Sequence, residues 1–256
     1  MRAKNLSPSV ISGALMVAGM IFTFAVERRY IVASPITQLA RRERPQPKPR
    51  TEPRVLAVDE LEKLIAGAPA SVEDYLRFVA YTGVRMSEGL GIRWRDLDLE
   101  QGTVRITGQL ARSTFKRVAT KTQSGNREVF LTDDLVAVLR ERRVKALSNG
   151  LHGPDQLVFC TRTGSPLAHR NVAREIRRAG DNAELNPDGV QPVSCHDLRH
   201  SFVSRLIANG IDPVTVAALA GDRVETILKI YAHEYDRARR GAQLRARVAA
   251  ANTAVR

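Results

Sequence analysis

Apolar positions along the chain recur at helical spacing over most of its length, and short alternating runs are confined to its middle. Residues 5–26 carry no charged side chain, and within them 11–26 is almost continuously apolar. Leu15, Ala18, Phe22 and Val26 repeat at helical spacing, and Ser7 or Ser9 can cap such a helix, which would run to about Arg29. A buried helix of a small domain fits this pattern. A signal peptide or short membrane span, preceded by Arg2 and Lys4, passes the same test. A short helical turn ending near Ala40 is expected next. Residues 41–54 then hold four prolines, six basic and two acidic residues, the composition of an extended basic linker.

Beyond the linker the spacing predicts helices over Val58–Ala66, which Gly67 stops, over Val72–Tyr81, and over Ser87–Ile92 after the turn at Gly83. Gly102–Ile106 reads as a strand. Arg117–Thr120 and Arg127–Leu131 flank Ser124-Gly125-Asn126 and read as a hairpin. Thr132 can cap a helix reaching Leu147, and Leu157–Thr161 reads as a short strand. Helices follow over Arg170–Ala179 and Leu198–Ala208. Asp212-Pro213 is a cap followed by a first-turn proline, opening a helix that ends at Gly221. A last helix covers Val224–Glu234, and the Arg-rich tail continues helical with Leu244, Val248 and Ala249 on one side. The expected fold is α+β: a mainly helical domain with a small antiparallel sheet at one edge, preceded by a partial all-α unit. No internal repeat is present. The expected boundaries are 1–40 for the helical unit, 41–54 for the linker, 55–235 for the larger domain and 236–256 for the tail.

Charge narrows the partner. The 256 residues include 40 Lys and Arg against 27 Asp and Glu, a net +13. Such a field draws polyanions, nucleic acid first among them, without separating DNA from RNA or an anionic membrane. Two cysteines, Cys160 and Cys195, make neither a disulfide scaffold nor a zinc site, and five histidines argue against an elaborate metal centre.

Several residues then suggest an anion site with a nucleophile. Arg85 follows Thr82-Gly83, between two helices. Lys121 sits at the edge of the expected hairpin. His196 and Arg199, three apart at a helix start, share a face. Tyr231 lies on a later helix. Singly, such residues are ordinarily solvated surface groups. His200, His233 and Glu88 each have a purely structural reading, Trp94 reads as core, and His152 and His169 have no supporting pattern.

The runs Tyr81-Thr82-Gly83-Val84-Arg85-Met86-Ser87-Glu88, Trp94-Arg95-Asp96-Leu97-Asp98, Thr120 to Leu131, His196-Asp197-Leu198-Arg199-His200 and Leu228 to His233 occur in that order. Together they resemble the tyrosine recombinase, or phage integrase, family. The resemblance implies the DNA breaking-rejoining fold and a site-specific recombinase acting on double-stranded DNA as a tetramer. It implies no cofactor, metal or ATP, and a cytoplasmic, nucleoid-associated protein with no membrane partner. Arg85 and Arg199 match the arginines that hold the scissile phosphate, and Tyr231 the nucleophile that forms a 3′-phosphotyrosine. Lys121 matches the general acid for the leaving oxygen, and His196 a residue that assists proton transfer. Glu88 is expected to buttress Arg85, and His200 to pack or bond behind Arg199.

Two departures accompany the resemblance. Nine residues before the tyrosine the family has histidine or tryptophan; here Asp222 stands. It can cap the helix after Gly221, its most natural local role, pair with an arginine, or be held protonated. The family also has a longer helical DNA-clamping domain, of which the residues before the linker resemble only the last helices. The alternative function is therefore a DNA-binding remnant of a mobile element with weak or no catalysis.

Overall fold

The computed structural model describes residues 6–40, 43–45, 53–120 and 125–253, and the side chains of these except 242 and 244–253. The chain divides into two compact units, Met1–Glu52 and Pro53–Arg256.

The first unit is built on α1 (Pro8–Glu27), with Pro8 in its first turn and the Ser7 hydroxyl accepting from the Val10 amide at 3.4 Å. The helix ends where Arg29 takes a left-handed φ of 58°. No residue of α1 is buried: Met16 is 65% exposed and Met20 68%. The expectation of a buried helix is corrected here: among the described residues of this unit, the apolar positions of α1 are left exposed or only partly covered. By length and composition α1 would also suffice to cross a membrane. Residues 35–38 form a turn, with Thr37 Oγ1 donating to the Ser34 carbonyl at 2.7 Å, in place of the expected helical turn.

In the second unit, α2 (Val58–Ala66) buries Leu61, Leu64 and Ile65, the helical repeat read in the sequence. In α3 (Glu73–Thr82), Tyr75, Leu76, Phe78, Val79 and Ala80 are buried. Gly83 closes α3 in the left-handed region, φ 63°, and the chain enters α4 (Met86–Leu90). A 3-10 turn at Trp94–Asp96 leads to β1 (Leu97–Asp98) and β2 (Thr103–Ile106). Next come β3 (Gly108–Leu110), β4 (Arg117–Ala119) and β5 (Arg127–Phe130). The helices α5 (Asp133–Ser148), α6 (His169–Asn182), α7 (Cys195–Ala208), α8 (Pro213–Ala220) and α9 (Val224–Thr253) complete the unit. The fold is α+β, mainly helical, with small antiparallel sheets.

The expected hairpin between Arg117–Thr120 and Arg127–Leu131 is not formed. β5 pairs instead with β2, Val104 opposite Val129, in a sheet of order β1-β2-β5; β4 pairs with β3, Gln109 opposite Val118. Side-chain partners outside the sheets separate the two strands. Arg117 donates to the Gly91 carbonyl at 2.9 Å and to Thr107 Oγ1 at 2.6 Å, whereas Val129 is buried in the main core. Leu157–Thr161 is not a strand either: Leu157 and Cys160 make only isolated bridges, to Arg93 and Pro166.

The apolar interior forms two clusters. The larger runs from Leu56 to Leu198; the smaller joins Phe202, Val203, Ile207, Val216, Ala217, Ala220, Ile227 and Tyr231. α7 belongs to both, its first half packing into the larger and its second half into the smaller. The ends of α3 and α8 meet α7 along this seam.

Candidate active site

Arg85 stands immediately before α4, a position set by the α3 stop at Gly83. A Cβ on Gly83 would lie 2.2 Å from Phe202 Cδ1, so glycine is required by space as well as by φ. The Gly83 carbonyl accepts from Arg199 Nη1 at 2.7 Å, tying the α3 turn to α7. Glu88, one turn into α4, takes the Arg85 backbone amide at 3.0 Å and Arg85 Nη1 at 2.9 Å. Arg127 Nη2 donates to the same Oε2 that takes the Arg85 amide, at 2.8 Å. Arg127, at the start of β5, also donates to the Leu219 carbonyl at 2.8 Å, so one guanidinium links β5, α4 and the end of α8.

The expected helix-cap role for Asp222 is corrected. The Thr226 and Ile227 amides bond to the Arg223 carbonyl, so the last helix is started by Arg223. Gly221, with φ 67°, reverses the chain and turns Asp222 toward the arginines. Asp222 Oδ1 accepts from Arg85 Nη2 at 2.6 Å and Oδ2 from Arg199 Nη2 at 2.5 Å. Arg85 Nη2 also reaches the Gly221 carbonyl at 2.7 Å. One carboxylate therefore spans both guanidinium groups, the second of the alternatives open in the sequence.

The charges are coupled. Burial favours neutral Glu88, yet Arg127 and Arg85 outweigh it and hold the carboxyl below its usual range. Burial works against the charge on Arg85, but Glu88 and Asp222 raise its pKa. Arg199, only 3% exposed, is lowered by burial despite Asp222.

His196, in the first turn of α7, is exposed and lowered in pKa by desolvation and by Arg199. One turn on, the His200 ring lies 4.3 Å from that of His196, centroid to centroid and nearly perpendicular. The hydrogen-bond partner of His200 is on α9: its Nδ1 is hydrogen-bonded to the Tyr231 hydroxyl. Desolvation, then His196, push its pKa down to about 4. Tyr231 is only 2% exposed, and burial followed by Glu234 raises its phenol well above the usual value.

The structure thus brings Arg85, Glu88, Asp222 and Arg199 into one network, with His196, His200 and Tyr231 beside it. Lys121 lies outside the described residues. His233 is directed to Glu234, 3.9 Å away, and Trp94 is buried. Arg127 escaped the sequence reading because nothing local marks a strand arginine as the partner of Glu88. His169 did too: it is buried, with Nε2 2.9 Å from Ser87 Oγ.

Residues 54–238 match the model of the phage integrase family. Tyrosine recombinase XerC of Xanthomonas axonopodis pv. citri (strain 306) is 30% identical over 236 residues, covering 90% of this chain and 69% of the relative. Tyrosine recombinase XerD of Corynebacterium glutamicum is 28% identical over 239 residues, covering 90% of this chain and 72% of the relative. Among solved structures, the Tn1549 transposon integrase in complex with transposon right end DNA superposes with a TM-score of 0.74 at 22% identity, over 96% of this chain and 81% of that one. XerA recombinase superposes at 0.60 and 22%, over 95% and 85%. These two carry the fold alone. With its family match spanning Arg85 to Tyr231, the chain belongs to the phage integrase, or tyrosine recombinase, family.

Proposed function

We propose that this protein is a site-specific DNA recombinase that cuts and rejoins strands through Tyr231. The observation that carries the reading is the pair of guanidinium groups, Arg85 and Arg199, converging on the two oxygens of one anion beside a buried tyrosine. Planar forks of fixed charge suit the two non-bridging oxygens of a phosphodiester and the added charge of its pentacovalent transition state.

In this reading double-stranded DNA displaces Asp222 from the arginines. The Tyr231 oxygen attacks phosphorus, the bond to the 5′-oxygen breaks, and a 3′-phosphotyrosine and a free 5′-hydroxyl result. Lys121 gives the leaving oxygen its proton, and His196 helps carry away the phenol proton. Glu88, locked by Arg127, keeps Arg85 aimed. A 5′-hydroxyl from another strand reverses the step, so the bond energy is conserved and neither ATP nor a metal is needed. The working unit is a tetramer on two DNA sites inside the cell. The division into an N-terminal helical segment of the DNA clamp, a basic linker and a catalytic domain ending before the tail belongs to the same reading.

Asp222 favours a second reading, a DNA-binding protein with weak or no cleavage, because its carboxylate repels the phosphate it would have to admit. A nicked duplex drawn from DNA flanking the gene, which on cleavage loses the short fragment bearing the freed 5′-hydroxyl, separates the two. The first reading expects a covalent protein–DNA complex that survives denaturation, is insensitive to chelator, and vanishes in Tyr231→Phe. Retained DNA binding with no covalent species supports the second reading.

A further inference from the structure

We propose that His200 is a positioning residue for the nucleophile, holding the Tyr231 hydroxyl through its Nδ1; this rests on the recombinase reading above. Tyr231 is 2% exposed and belongs to the smaller apolar cluster with Ile227, Val216 and Ala217, so burial in that cluster fixes its ring. Packing places the ring but leaves the hydroxyl proton free to rotate. The Nδ1 contact from α7 sets that rotation.

The direction of the bond follows from charge. His200 is faced on α7 by His196, Asp197 and Arg199, from the turn before α9 by Asp222, and from α9 by Tyr231. With its pKa down at about 4, the imidazole is neutral near pH 7. Tyr231, faced by Glu234, Arg199 and Asp222, is raised and remains a phenol. The phenol O–H therefore donates to a proton-free Nδ1. The two pKa values stand too far apart for the proton to cross at rest, so His200 orients the group rather than ionising it. With its proton engaged on the α7 side, the oxygen keeps its lone pairs for an incoming phosphorus atom. His196 and His200 thereby divide their labour: the exposed His196 ring is left to assist proton transfer, and the His200 ring orients the nucleophile.

The sequence alone offers no reason to pair His200 with Tyr231, 31 positions apart. The test exploits the geometry of the ring. Asparagine places an amide atom near the position of Nδ1, whereas glutamine reaches the position of Nε2. Cleavage of the nicked duplex at saturating DNA is compared for His200→Asn, His200→Gln and His200→Ala. The expected result is near-normal cleavage by the asparagine variant and losses of about 10- to 100-fold in the other two, with DNA affinity unchanged in all. Equal cleavage by the asparagine and glutamine variants overturns the positioning role even if the alanine variant fails to fold. So does a loss that tracks weakened DNA binding.

A second readout needs no DNA. The ¹⁵N chemical shift of His200 Nδ1 is expected to move in Tyr231→Phe, and an unmoved signal denies the contact. Should the wild type form no covalent complex at all, the recombinase reading falls and the positioning role with it, while the nitrogen shift still reports whether the pair exists.

Discussion

At the scale of single residues, Asp222 decides how this site rests. Histidine or tryptophan at that position would leave the arginine pair open to an anion; the aspartate supplies an anion of its own. Two opposite unit charges at about 4 Å, with an effective dielectric near 20, attract by about 4 kcal/mol as an upper figure. Part of that is offset because Asp222 and Arg85 remain partly solvated, at 26% and 41% side-chain exposure. Arg199 is not so relieved: it is buried, and loss of its partner leaves a desolvated charge. Asp222→Asn is therefore expected to lower stability by about 1–3 kcal/mol, measured by urea denaturation. Sulfate should restore much of that loss in the variant and do little for the wild type, since a ligand stabilises only the state whose site it can enter. The same variant is expected to raise the yield of covalent complex several-fold, read by denaturing gel.

At the scale of elements, the turns at Gly83 and Gly221 do the aiming. Each ends a helix in the left-handed region and delivers the next residues, Arg85 and Asp222, to the same place. Gly83→Ala would be strained by its φ and would drive a methyl group into Phe202. A loss of about 2–4 kcal/mol is expected from the two effects together, seen as a lower Tm, with Arg199 losing the carbonyl that holds it. Helix starts and stops were legible in the sequence because caps and glycines act within a few residues: Ser7, Thr132 and Asp212 all accept amide hydrogens as their positions imply. Strand pairing was not legible. The turn at 124–126 suggested the nearest partner, but β5 buries Val129 against β2 while Arg117 draws β4 elsewhere. The periodicity of α1 is likewise genuine, yet period alone does not say what covers a face.

At the scale of the whole molecule, stability should fall on the acid side. Glu88 and Asp96 are both lowered in the folded chain, against the pull of burial, by their arginine partners. The unfolded chain takes up protons first as pH falls, so their contribution is complete above the ordinary carboxylate range near 4 and is lost below it. His169, His196 and His200 are lowered by desolvation. They too are held neutral in the fold: their contribution is complete above about 6.5, the unfolded value, and declines as pH falls toward the folded value, about 4 for His200. Allowing for its partial exposure, His200 alone should contribute about 1–2 kcal/mol of this change. The urea midpoint is therefore expected to drop steadily between pH 7 and pH 4 and more steeply below. A midpoint constant from pH 7 to pH 5 would contradict the neutral state of these histidines in the fold.

The sequence by itself determined the family, the order of helices, the basic character of the chain, and Arg85, His196, Arg199 and Tyr231 as candidates. These depend on local pattern and on motifs whose residues sit close together in the chain. Tertiary structure decided the rest: which strand pairs with which, that Arg127 locks Glu88, that His200 meets Tyr231, and that Asp222 turns from a helix cap to bridge two arginines. Each of these joins residues far apart in sequence, and each is settled by a competition local preference does not contain. A carboxylate whose local preference is to cap a helix, for about 1 kcal/mol, instead neutralises a buried guanidinium that would otherwise stand without its counter-charge.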